Sequence, residues 1–177
     1  MGKGRFSSGT HRTALCGILI GLSTVILYLS AFFPSAQLAL TALAGLFPAA
    51  AVIAAGRGAG YLCWAGSSIL ALLLSPEKWM VLLYLLFFGL YPVVKSRLEK
   101  LSGRIAEWSL KFVYFNGVLG VLLLALGELL LGTLPPALQN APLLFLLLNG
   151  IFLVYDIGLS RLIAFYSARI AGASGLN

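Results

Sequence analysis

Apolar residues in this chain fall into runs long enough to cross a membrane, separated by short polar or proline-bearing segments. A helix needs about 20 mostly apolar residues to span the hydrocarbon. Six such runs are present. The first is about 12–33, ended by Pro34-Ser35, and the second 37–55, ended by Gly56-Arg57-Gly58. The third, 60–74, stops at the turn Ser75-Pro76-Glu77-Lys78, and the fourth, 79–94, is opened by Trp79 and contains Pro92. The fifth is 108–134, closed by Pro135-Pro136, and the sixth 142–166. The pattern predicts an all-α integral membrane protein, one six-helix transmembrane domain over residues 1–177 with no soluble domain. It offers no internal repeat. Between the fourth and fifth runs, Leu98, Leu101 and Ile105 stand at helical spacing among cations, which predicts a linker helix, either solvated or lying on the inner lipid surface.

Composition makes lipid the solvent. Of 177 residues 60% are hydrophobic and 10% charged, against roughly 25% charged in a soluble domain. The first run follows Lys3, Arg5, His11 and Arg12 as a signal peptide would, but it is longer than the usual ~7 to 15 apolar residues and is read as a retained helix. The formal charge of +7 does not point to nucleic acid, because the basic residues lie between apolar runs and form no single patch. Their positions orient the chain instead. With the N-terminus inside, eleven of the twelve Lys and Arg residues fall on the cytoplasmic side, Arg57, Lys95, Lys111 and Arg161 among them, and only Lys78 lies outside. Both termini are therefore expected in the cytoplasm, and the protein in a bacterial-type cell membrane.

Ionisable and polar residues within such runs are costly, so each is a candidate functional position. Glu128 and Asn149 are placed at one depth in the outer halves of the fifth and sixth helices, and Asn116 and Asp156 at a second depth nearer the inner leaflet. The outer layer reads either as a small-ligand pocket or as a polar clasp between helices. Asp156 has an alternative in pairing with Arg161 or capping Ser160. Trp64 and Tyr84 supply candidate aromatic walls, since ligand sites set a few polar groups in apolar surroundings. On the first helix Ala14, Gly17 and Gly21 form a slim face for close helix packing, within the chain or against a partner. Ala42, Gly45, Pro48 and Ala49 predict tight packing with a kink in the second.

Enzyme chemistry is not expected. His11 is the only histidine and lies at the edge of the first run, no phosphate-binding glycine loop precedes a helix, and Cys16 and Cys63 have no metal-ligand spacing. No cofactor or metal is expected. Taken over the whole chain, six helices, about 180 residues, both ends inside, the Ala14/Gly17/Gly21 face and polar residues in the late helices, the pattern resembles the substrate-binding S-components of energy-coupling factor vitamin transporters. The resemblance implies capture of a vitamin or similar micronutrient by Glu128, Asn149, Tyr84, Trp64, Asn116 and Asp156. It also implies docking through Ala14, Gly17 and Gly21 onto a transmembrane coupling subunit that works with two cytoplasmic ATPases. A structural scaffold of the rod-shape or envelope-assembly type, and a self-sufficient permease using Asp156 or Glu128 as proton-coupled carboxylates, are the alternatives.

Overall fold

The structure, a computed structural model, describes residues 5–100, 103–132 and 141–174. Among them every regular element is helical, and six stretches are long and apolar enough to cross a membrane: Gly9–Ser30, Pro34–Ala55, Arg57–Leu74, Lys78–Leu98, Arg104–Ala125 and Pro142–Phe165. They fall into two units, Met1–Lys100 and Leu101–Asn177.

In the first unit α1 (Arg5–Ser30) ends four residues before Pro34, which was expected to close it. Its last N–H groups reach back only three residues, from Ala31 to Tyr28 and from Phe32 to Leu29, and this tightening lets the chain turn at Pro34. The second span is two helices, α2 (Gln37–Ala44) and α3 (Leu46–Ala55), so the expected kink is a complete break at Gly45. Proline explains its position. Pro48 sits in the first turn of α3, where no N–H is needed, but it withholds the donor that the Ala44 carbonyl would have received four residues on. Gly56 then adopts φ +90, a backbone that favours glycine, and sends the chain directly into α4 (Arg57–Leu74).

The fourth span repeats the device with a variation. It comprises α5 (Lys78–Leu83), a π-helical turn over Tyr84–Phe88 and α6 (Tyr91–Leu98), with Pro92 in the first turn of α6. The Gly89 N–H passes over the Leu85 carbonyl and bonds that of Tyr84 at 2.8 Å, one residue further back than in an α-helix. α6 runs to Leu98, beyond the expected end at Val94, and α7 begins at Arg104, so the expected linker helix is divided between their ends. Ile105 is exposed on α7, and Leu101 lies outside the described residues.

Two glycines let these broken helices pack. A Cβ on Gly45 would run into the backbone carbonyl of Phe88, and one on Gly89 would stand 2.7 Å from the Tyr84 ring and 2.8 Å from that of Trp64. The first obstacle is backbone, and the second is a pair of rings held by hydrogen bonds at their polar ends.

The second unit consists of α7 (Arg104–Gly132) and α8 (Ala141–Ser174). They run antiparallel, because Lys111, Phe115 and Asn116 on α7 meet Asp156, Phe152 and Asn149 on α8 in reverse order. Phe115 and Phe152 stack with centroids 4.5 Å apart, and Phe112 meets Phe152 edge-on at 5.7 Å. Such ring pairs add roughly 0.5 to 1.5 kcal/mol beyond their burial.

The glycine contacts predict a sharp contrast. Gly45→Ala and Gly89→Ala are each expected to cost about 1 to 3 kcal/mol by overpacking and to lower the thermal unfolding midpoint of the detergent-solubilised protein. Gly17→Ala, where a Cβ meets nothing within 4 Å, is expected to be neutral or slightly stabilising.

Candidate functional site

Polar side chains buried in apolar helices form a separate group in each unit. In the first, the Tyr84 hydroxyl is fully buried between Ser23 on α1, at 2.9 Å, and Ser67 on α4, at 2.7 Å. Ser23 also donates to the Ala44 carbonyl at 3.2 Å, the one that Pro48 leaves without a backbone donor. Ser67 donates to the Cys63 carbonyl of its own helix at 2.7 Å and Ser23 to the Ala44 carbonyl, so the Tyr84 proton has an acceptor at either serine. Trp64 performs the same service nearby. Its indole N–H donates at 2.9 Å to the Leu85 carbonyl, which the π-helical turn has deprived of the Gly89 N–H. Tyr84 and Trp64, the candidate aromatic walls, thus spend their polar ends on neighbouring hydroxyls and helix backbone.

In the second unit Lys111 and Asp156, each with 2% of its side chain exposed, pair at 3.1 Å. Lys111 also pairs with Glu107 at 2.7 Å and lies 5.0 Å from the centroid of the Trp108 ring. Glu107 is placed one helical turn before Lys111, so the lysine receives one carboxylate from its own helix and one from α8. This pair takes the place of both alternatives expected for Asp156. Ser160 does bond residue 156, but at its backbone carbonyl, at 2.9 Å.

About a turn and a half along α7, Asn116 and Asn149 exchange two amide hydrogen bonds, at 3.2 and 3.3 Å. Each amide also donates at 2.9 Å to the carbonyl four residues earlier on its own helix, Phe112 for Asn116 and Phe145 for Asn149. This corrects the layering expected from sequence. Asn149 lies level with Asn116 and not with Glu128, which stands 12 residues further along α7, about 18 Å at the helical rise. Counting inward from the outer ends of the apolar runs takes those ends as level, whereas the amide pair sets the register of α7 against α8. The Glu128 side chain lies outside the described residues.

Ala14 and Gly17 are exposed on α1 and Gly21 is half-buried, and a Cβ at either glycine would meet nothing within 4 Å. Lys95 is fully buried and pairs with Glu99 at 3.0 Å. Lys95 and Lys111, both counted from sequence toward a positive cytoplasmic side, are thus drawn into the protein. Ser23, Ser67, Glu107 and Lys111 were missed as site residues. A pointer to Lys111 existed, because a cation seven residues into α7 needs a partner in a setting where unpaired charge is costly. Comparison with protein-family models, curated proteins and solved structures yields no match for the chain.

Removing Lys111 takes the cation from the buried Asp156, and removing Asp156 takes one of two carboxylates from the buried Lys111. Asp156→Asn and Lys111→Met are each expected to destabilise the protein by about 3 to 5 kcal/mol, read as loss of the folded fraction on denaturant titration in detergent. The double variant Lys111→Met/Asp156→Leu should lose clearly less than the two single losses added together. For the amides, a double-mutant cycle with Asn116→Leu and Asn149→Leu should return a coupling of about 0.6 to 1.7 kcal/mol.

Proposed function

We propose that this chain is a substrate-capture subunit of the cell membrane, with both termini in the cytoplasm, taking up a vitamin or similar micronutrient. In this reading it works with a transmembrane coupling subunit and two cytoplasmic ATPases, and the face of α1 carrying Ala14, Gly17 and Gly21 receives the coupling subunit.

The Asn116–Asn149 pair carries the reading. Both amides are half-buried, and each keeps a hydrogen bond to its own helix when the bonds between them open. A solute with donors and acceptors can therefore replace the partner amide without stranding either asparagine, so exchange costs little in a setting where unpaired polar groups are expensive. Glu128 extends the same proposal toward the far end of α7.

The buried ion pair supports a second reading, a self-sufficient permease in which Asp156 takes up a proton and releases Lys111. Ionisable pairs between membrane helices commonly serve as proton relays. Uptake by proteoliposomes containing this chain alone and driven by a pH gradient would select it over the first.

For the capture reading, the purified protein is heated in the presence of a panel of vitamins and related micronutrients. One of them is expected to stabilise it by about 2.7 kcal/mol at a concentration a hundred times its Kd, and Asn149→Leu should abolish that gain. Gly17→Leu should keep the gain while losing copurification of the coupling subunit and ATPases from native membranes. Unchanged stability across the whole panel would exclude capture.

A further inference from the structure

Laid over itself with a shift of 44 positions, the first unit places Gly45-Leu46-Phe47-Pro48 on Gly89-Leu90-Tyr91-Pro92. The same shift sets Ser23-Thr24-Val25-Ile26-Leu27 on Ser67-Ser68-Ile69-Leu70-Ala71. It carries α1 onto α4 and the second span onto the fourth. The repeat that the apolar runs did not reveal is present after all, and equivalent positions converge in space. Ser23 and Ser67 share the Tyr84 hydroxyl. Gly45 of one break faces the Phe88 carbonyl, the residue just ahead of Gly89 in the other. α2 packs on α5 and α3 on α6, so the two broken spans run parallel with their breaks at one level.

The two breaks also share their chemistry. A proline three residues after the glycine withholds the N–H that the carbonyl just before the glycine would have accepted. The glycine leaves room for the other span's backbone. Gly/Pro-interrupted helices at corresponding positions of repeats are the parts that mark the working centre of many membrane transport folds.

We propose that the Gly-Leu-Phe-Pro and Gly-Leu-Tyr-Pro breaks form a paired hinge, about which α2 and α5 swing as one body against α3 and α6. The hydroxyl chain from Ser67 through Tyr84 and Ser23 to the Ala44 carbonyl is its latch. Bending an unbroken helix sacrifices backbone hydrogen bonds, which lipid does not replace. Here Pro48 and Pro92 have no backbone N–H whose bond a bend would break. In the π-helical turn the Gly89 N–H has two acceptors in reach of a small rotation, the Tyr84 carbonyl it uses and the Leu85 carbonyl that Trp64 holds. The two prolines and the exchange at Gly89 lower the backbone cost of bending, and side-chain hydrogen bonds hold the resting position. The hinge makes no claim about a ligand and stands apart from the capture reading.

The test uses the full chain in lipid nanodiscs, with Cys16 and Cys63 replaced by alanine and spin labels at the exposed positions Leu38 on α2 and Leu73 on α4. Helix α2 is about 12 Å long, so a swing of ~20° displaces its far end by about 4 Å. Electron-electron distance measurements should show two maxima separated by about that amount. Tyr84→Phe, which cuts the latch, should move weight to the second maximum, and Pro48→Ala with Pro92→Ala should leave one. A single narrow distance that Tyr84→Phe does not change overturns the hinge. Hydrogen exchange of the unaltered protein decides independently of any variant's folding. Amides of Leu46–Phe47 and Phe87–Tyr91 should exchange about tenfold faster than those in the middle of α1 and α4, and equal protection overturns the proposal.

Discussion

Hydrocarbon accepts no hydrogen bonds, so a chain that crosses it must satisfy every peptide N–H and carbonyl from within. The first unit is organised around two violations of this rule and their repair. Pro48 deprives the Ala44 carbonyl of its donor, and Ser23 supplies one from α1. The extra residue of the π-helical turn takes the Gly89 N–H away from Leu85, and the Trp64 indole replaces it from α4. Each repair ties a broken span to an unbroken one. Tyr84 joins the two systems, because it belongs to the π-helical turn and its hydroxyl lies between Ser23 and Ser67.

The same scarcity of partners sets the register of α7 and α8. A lysine and an aspartate with almost no exposure have to be level with each other, and two asparagines have to meet. Sliding one helix past the other by a turn would part Asp156 from Lys111 and the two amides from each other at once. The stacked rings of Phe115 and Phe152 fill the interval between the two polar levels. Apolar helices slide easily against each other, whereas these two are held at discrete levels.

The polar groups differ in how readily they can be given up. Lys111 and Asp156 depend on ionic partners, and opening them leaves bare charge. Asn116 and Asn149 each hold a second bond to their own helix and can change partners. A membrane protein that takes a solute and later gives it back needs groups of the second kind at the binding level and groups of the first kind to keep the frame in register. That division is the physical content of the capture proposal.

Run length and composition alone are enough to read six apolar helices and their approximate ends, because spanning length is a one-dimensional property of the chain. Pro48 likewise announces a kink by itself, since its ring deprives a carbonyl of its donor wherever it stands inside a helical run. Partner identity is not legible in the same way. Counting from run ends matches Asn149 with Glu128, while the pairing of side chains across α7 and α8 brings Asn149 to Asn116. Tyr84 and Trp64 read as aromatic walls, and only the folded chain shows the Trp64 indole on the Leu85 carbonyl and the Tyr84 hydroxyl between two serines. The 44-residue repeat is written in the sequence, but only the meeting of Gly45 with Phe88 and of two serines on one tyrosine makes it conspicuous. The sequence by itself determined where helices form, since lipid demands apolar length and internal backbone bonds. Tertiary structure decided which polar groups meet, since that depends on register and on broken backbone bonds, which no single run contains.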